Sequence, residues 1–150
     1  MNKVALSTQI YQKMQNNVVV STDPSRLDLG TIHDYLSNQS YWAKNRPAET
    51  VEKSIQNSLC FGVYLKNTQI GFARVVTDYS VFAYLLDVFI LEQHQGQGIG
   101  QFLMQAIMEH PELQGNMLWA LATKDAHGLY RKNGFSALPN PSSWMQIDKR

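Results

Sequence analysis

Three glycines alternate with other residues in Gln95-Gly96-Gln97-Gly98-Ile99-Gly100, directly after the apolar run from Val81 to Leu91 and directly before an amphipathic segment. No other stretch constrains the fold as tightly. Glycine at this density disfavours continued strand and helix alike, because each one loses the most backbone freedom on ordering. The chain must therefore turn sharply from a buried strand into a helix. Side-chain-free positions let backbone approach a ligand closely. The first N–H groups of a helix have no internal partners and favour phosphate. Two familiar glycine motifs do not fit. A Walker A loop needs lysine and then Ser or Thr after the last glycine, and Gly100 is followed by Gln101-Phe102. A dinucleotide fingerprint counted from Gly96 and Gly98 needs glycine where Gln101 stands. Two readings survive: a pyrophosphate cradle needing neither lysine nor metal, or a tight turn with no ligand.

The elements around the turn follow from periodicity. Residues 17–22 hold Val18-Val19-Val20 and read as a first strand, stopped by Asp23-Pro24. Ser25 and Asp28 have capping-box spacing. Leu29, Ile32 and Leu36 share a face, predicting a helix over 26–37, with Gly30 as a weakness. Residues 40–46 form a polar and aromatic loop. Pro47 opens a second helix, with Ala48, Val51 and Ile55 on its buried side and Glu49 and Glu52 suiting its first turns. Strands at 59–66 and 69–77 form a hairpin about Asn67-Thr68, with Gly62 and Gly71 marking bulges or close packing. Residues 81–91 are a central strand interrupted by Asp87. From Gly98, the residues Ile99, Phe102, Leu103, Ala106, Ile107 and His110 lie on one helical face, until Pro111. A strand at 116–122, a helix at 124–133 ending at Asn133-Gly134, and short strands at 135–138 and 143–147 complete the chain. A mixed sheet covered by helices, an α/β arrangement within one domain over 1–150, is the natural packing.

Composition excludes several classes. A net charge of +1 without a basic run argues against extended nucleic-acid binding and against electrostatic attachment to membranes. The N-terminal 15 residues lack a secretory core, and no stretch has transmembrane length. A cytoplasmic protein is expected. Cys60 is the single cysteine, sits in an apolar run, and reads as a core thiol. His33, His94 and His127 have no metal-ligand spacing with it or with one another, so no metal is expected.

A second block lies downstream: Ala126-His127-Gly128-Leu129-Tyr130-Arg131-Lys132-Asn133-Gly134-Phe135. It is similar to Ala-x-x-Leu-Tyr-x-x-x-Gly-Phe of the GCN5-related N-acetyltransferase (GNAT) superfamily. The glycine turn resembles the same family's Gln/Arg-x-x-Gly-x-Gly/Ala. The two blocks and the element order cover about half the chain; residues 17–77 match in element order alone. The resemblance implies a mostly antiparallel sheet, splayed between the fourth and fifth predicted strands (81–91 and 116–122) and flanked by about four helices.

It also implies acetyl-CoA as acyl donor and a primary amine as acceptor, on a small molecule or on a protein or peptide, in a monomer or homodimer. Backbone groups near Gln95, Gly96, Gln97, Gly98, Ile99, Gly100 and Gln101 would hold the coenzyme A pyrophosphate. Val88, Phe89 and Ile90 would pair with the pantetheine arm, with the Val88 N–H facing the developing oxyanion. Tyr130 would protonate the departing thiolate; from the sequence pattern alone it reads as a core tyrosine on the helix face with Ala126 and Leu129. Where the family often has asparagine this chain has Thr123, which supplies a weaker pantetheine contact or caps the following helix.

The remaining candidates come from the residues themselves. Asp87 interrupts a run expected to be buried, where a carboxylate is costly unless hydrogen-bonded or facing a cavity. It is either a general base or a structural carboxylate. Glu92, at the strand exit, reads as a surface residue. Tyr35, Tyr41, Trp42 and Arg46 are acceptor-side candidates or packing residues, and Arg74 either enters the cleft or points outward. A non-catalytic acyl-CoA-binding or regulatory domain is the rival reading.

Overall fold

The computed structural model describes residues 9–150. The first eight residues of the polar N-terminal stretch lie outside them. Six strands form one sheet in sequence order: β1 (Gln12–Gln15), β2 (Val18–Ser21), β3 (Leu59–Leu65), β4 (Thr68–Thr77), β5 (Phe82–Ile90) and β6 (Leu118–Leu121). Every pairing is antiparallel except β5 with β6, which is parallel. The helices are α1 (Leu29–Asp34), α2 (Ala48–Gln56), α3 (Ile99–Met108) and α4 (His127–Arg131). α3 packs on one face, over Val20, Phe61, Val63, Val75, Ala83 and Leu85. α1 and α2 cover the other face, where Ile32, Leu36 and Val51 meet Cys60, Phe72 and Phe89. Both faces are thus buried, which explains the near-continuous apolar character of β3 to β5.

Several details depart from expectation. β1 is an addition: Asn16 and Asn17 both adopt positive φ (51° and 68°), so a two-residue turn folds the polar Gln12–Gln15 back along β2. Asparagine tolerates that region and favours such hairpins. The second hairpin turns at Lys66-Asn67 rather than Asn67-Thr68, again at two positive φ values, 51° and 65°. The capping box at Ser25 does not form. Asp23 caps a short 3-10 turn at Pro24–Arg26, and Asp28 caps α1 by accepting from the Thr31 N–H. α1 then widens into a π-helical turn at Tyr35–Gln39, and Leu29 and Ala48 face solvent. No strand forms at 135–138 or 143–147. Pro139 and Pro141 remove two donors and fix φ where the hairpin would have to turn.

Two features of β5 shape the cleft. It pairs with β6 only from Phe82 to Leu85, opposite Leu118 to Leu121. Beyond Leu85 the edge facing β6 has no strand partner among the described residues. On the other side, Phe72 pairs with Phe89 and Arg74 with Leu86, so β5 carries one residue more than β4 between these pairs. This is a β-bulge, and Asp87 within it has φ of 55°. Gly71 permits the close approach alongside: a Cβ there would stand 2.9 Å from the Phe89 carbonyl oxygen.

Candidate active site

A cavity of about 750 Å³ opens where β5 and β6 part. Its walls are Tyr84 to Val88 on one side and Ala122 to Ala126 with Tyr130 on the other; Tyr41, Trp42, Lys44 and Arg46 close one end.

Asp87 is 3% exposed and lines this cavity. Its Oδ1 accepts from Trp42 Nε1 at 2.9 Å. Its Oδ2 accepts from Arg46 Nη1 and from Arg74 Nε, each at 2.9 Å. The left-handed backbone costs about 1–2 kcal/mol for a non-glycine residue, which two charge-assisted bonds and an indole bond offset. Arg46 is further held through its own carbonyl oxygen, 3.0 Å from His33 Nε2. Arg74 is buried beneath the cavity without lining it, and its Nη1 donates to Ser58 Oγ. It therefore does not enter the cleft, whereas Arg46 and Trp42 line it. Tyr35 also stays outside: it stacks on Phe89 at 4.1 Å between centroids and 9° between planes.

Tyr41 reaches across the cavity. Its hydroxyl accepts from the Lys124 backbone N–H at 2.8 Å, and the Lys124 ammonium lies 5.5 Å from its ring centroid. Lys44, Lys124, Asp125, Asp148 and Arg150 also line the cavity and are absent from the sequence-derived set. The loop after β6 could have been found from its place beside the Tyr130 block. Asp148 and Arg150 could not, because only the path of the chain brings them there.

Tyr130 is 9% exposed and lines the cavity; burial raises its phenol to about 12, with Tyr41 and Asp125 adding to the shift. Its hydroxyl has no hydrogen-bond partner among the described residues. Thr123 Oγ1 accepts from the Ala126 N–H at 3.1 Å, which turns the chain into α4, while its hydroxyl proton stays available.

At the far end of β5, Gln95 Nε2 donates to the Ile90 carbonyl at 2.8 Å. Gly96 and Gly98 adopt φ of 76° and 80°, and a Cβ on either would meet nothing within 4 Å. Their glycine identity is thus required by backbone conformation and by open space rather than by crowding. Gly98 is the N-cap of α3 and no side chain caps it, so the N–H groups of Ile99, Gly100 and Gln101 have no capping partner. Gln97 is exposed, and Ile99 anchors the turn in the α3 core. The Gln101 and Asn133 amides pair reciprocally at 2.9 and 3.3 Å, fastening this helix start to the end of α4. The uncapped start of a ten-residue helix and the open glycines follow the C-terminal end of β5, whose unpartnered edge borders the cavity. That arrangement fits an elongated ligand with an anionic middle.

Cys60 lies away from the cavity on the α1/α2 side, and burial pushes its thiol to about 12 despite the nearby Arg74. Among the described residues no three His, Cys, Asp or Glu side chains gather as metal ligands, and no helix is long and apolar enough to cross a membrane.

Known proteins share this fold. Residues 56–137 match the Acetyltransferase (GNAT) domain family. A Gibberella zeae protein, FG08082, assigned by name to the acetyltransferases, is 33% identical, with 79% of this chain and 78% of that protein covered. The crystal structure of a Xanthomonas campestris pv. campestris protein assigned to the GNAT family superposes with a TM-score of 0.84 at 48% identity, covering 87% of this chain and 92% of that one. A GNAT family acetyltransferase from Elizabethkingia anophelis, solved with acetyl-CoA bound, shares the fold at a TM-score of 0.58 and 17% identity, over 81% of this chain and 78% of its own. The chain belongs to the GNAT family of acetyltransferases.

Proposed function

We propose that the chain transfers an acetyl group from acetyl-CoA to a primary amine by direct attack, with both reactants held together in the cleft between β5 and β6. One observation carries the reading: Val88, at the β5 bulge, and Tyr130, with its unengaged hydroxyl, line the same cavity where the two strands separate. Acetyl-CoA, when bound, supplies the acetyl group and a thiolate leaving group.

The residues of this chain divide the work. The N–H groups of Ile99, Gly100 and Gln101, in a turn shaped by Gln95, Gly96, Gln97 and Gly98, hold a pyrophosphate. The open backbone of Val88, Phe89 and Ile90 and the Thr123 hydroxyl hold the pantetheine arm. The Val88 N–H, directed by the bulge, faces charge as it develops on the carbonyl oxygen. Tyr130 presents a proton to the sulfur. Its phenol near 12 is a weaker acid than a free thiol, about 8.5, by roughly three and a half units. Tyr130 therefore acts as a neutral hydrogen-bond donor to the departing thiolate, which leaves as the anion and takes its proton from solvent.

Asp87 is assigned to positioning rather than to proton removal, since both of its oxygens already accept from Trp42, Arg46 and Arg74. Through these bonds it fixes the acceptor end, where Tyr41, Trp42 and Arg46 receive the amine, small or peptide-borne. The proton lost by the amine passes to solvent water at the cavity mouth. A lone buried thiol with no disulfide partner suits the cytoplasm. The test is thioester cleavage across polyamines, amino acids and peptides. Acceleration by one class identifies the acceptor. Coenzyme A binding with no acceleration by any amine would instead support a binding module.

A further inference from the structure

The acceptor end of the cavity carries more positive charge than the fold itself uses. Arg46 and Arg74 share the single carboxylate of Asp87. Lys44 and Lys124 line the cavity and form no ion pair among the described residues. Four cations thus accompany one anion, with Arg74 acting from beneath the wall. Asp148 and Arg150 also line the cavity, but they pair with each other.

Arg46 has donors to spare. Its Nη1 donates to Asp87 and its carbonyl oxygen meets His33, while its Nε and Nη2 have no partner among the described residues. The side chain is 19% exposed in the cavity wall. A guanidinium held at one nitrogen keeps a rigid set of further N–H groups, whose geometry matches a carboxylate. Beside it the Tyr41 and Trp42 rings meet edge to face, 5.1 Å between centroids, and offer a carbon chain an apolar surface.

The opposite charge stands nearer Tyr130. Asp125 is the one acidic side chain lining the cavity without an ion-pair partner among the described residues, and its charge is felt at the Tyr130 phenol. A molecule with a positive and a negative end finds both answered: its ammonium is drawn toward Asp125 and Tyr130, its acid toward Arg46. A polyamine would set its second ammonium against Arg46, Lys44 and Lys124, where like charges repel.

We infer that the acceptor is a small primary amine carrying a carboxylate, which Arg46 grips while Lys44 and Lys124 supply the surrounding positive field. The inference rests on the acetyl transfer proposed above and names its substrate class. The amine nitrogen bonds to the acetyl carbon as the carbon–sulfur bond breaks. Coenzyme A leaves as the thiolate, and the surplus protons of the ammonium pass to water.

The experiment is coenzyme A release from acetyl-CoA by the full chain, with amino carboxylic acids, their uncharged primary amides and diamines of equal length as acceptors. A methylene chain separates amine from acid, so that amidation leaves the basicity of the amine nearly unchanged. The expected order of kcat/KM is acid, then amide, then diamine. Acid should exceed amide by about 10- to 100-fold, the worth of a charge-assisted hydrogen bond. Lys44→Glu/Lys124→Glu alters two exposed side chains and leaves the Asp87 cluster intact. It should raise KM for the acids and lower it for the diamines. Arg46→Lys keeps a cation beside Asp87 but loses the fork, and should raise KM for the acids with the amides nearly unaffected. Amides or diamines that match the acids overturn the inference and leave acetyl transfer standing, as does release stimulated by peptides alone. Variants that slow acids and amides equally overturn it as well. Release stimulated by no amine removes the acetyl-transfer reading itself, and this inference with it.

Discussion

Leu85 and Asp87, two residues apart on one strand, face opposite sides of the sheet. Leu85 packs in the α3 core, whereas Asp87 bonds to Trp42, Arg46 and Arg74 on the α1/α2 side. Strict alternation would have placed both among the apolar side chains under α3. The bulge between Leu86 and Phe89 reverses the parity and delivers the carboxylate to two guanidinium groups. The same irregularity sets Val88 at the cleft. One backbone feature therefore positions both the acceptor-side clamp and the proposed oxyanion donor.

Asp87→Asn separates charge from shape, because asparagine also tolerates positive φ. Two guanidinium groups would then face a neutral amide. Breaking a buried pair by removing one partner costs about 3–5 kcal/mol, so a large drop in the midpoint of urea unfolding is expected. Arg46→Met should cost less than Arg74→Met, since the Arg46 side chain is 19% exposed and that of Arg74 is 9% exposed.

Tyr130→Phe removes the proposed donor and little packing. Turnover should fall about 10- to 100-fold, at or below the low end of the roughly 10²–10⁴-fold range for general acid catalysis because a thiolate needs little help to leave, with the KM for acetyl-CoA nearly unchanged. The phenol is held near 12, so it stays protonated below that pH. The rate profile should accordingly show no descending limb from Tyr130 up to pH 10. An unchanged turnover in the phenylalanine variant would remove Tyr130 from the mechanism.

Gly98→Ala places a methyl group in open space at φ of 80°. The backbone cost is about 1–2 kcal/mol. The larger effect should be on acetyl-CoA, with a raised KM and a nearly constant kcat, because Gly98 belongs to the proposed pyrophosphate cradle. Initial-rate kinetics with varied acetyl-CoA check this.

Cys60→Ala should leave kcat within about two-fold, since a thiol raised to about 12 forms almost no thiolate at neutral pH. Mass spectrometry of the natural enzyme mixed with acetyl-CoA should show no acetylated Cys60.

His110 provides a pH signature in stability. It is buried between the Tyr11 and Phe61 rings, its Nδ1 accepts from the Glu112 N–H, and its Nε2 has no partner among the described residues. Burial lowers its pKa, with Glu112 opposing the shift in part. The unfolded chain therefore binds the proton more readily, at about 6.5. The contribution to stability is full above that value and is lost as pH falls through and below it. His110→Asn, which keeps a capping acceptor, should flatten this part of the stability profile in denaturant titrations at several pH values.

The sequence by itself carried the features on which the proposed donor half of the site rests. Glycines at 96 and 98, a buried run before them, an amphipathic helix after them and the block around Tyr130 are local features, and their meaning survives without knowing what packs against them. Helix and strand order followed for the same reason, because periodicity is written residue by residue. The acceptor half was decided by tertiary structure. Asp87, Arg46, Trp42 and Arg74 come from four separate stretches of chain, and no local pattern says that one carboxylate will meet all three donors. The bulge that brings them together arises from register between β4 and β5, a property of two strands at once. The missing terminal strands have the same cause: residues 143–147 have the composition of a strand, but a strand exists only where an edge receives it.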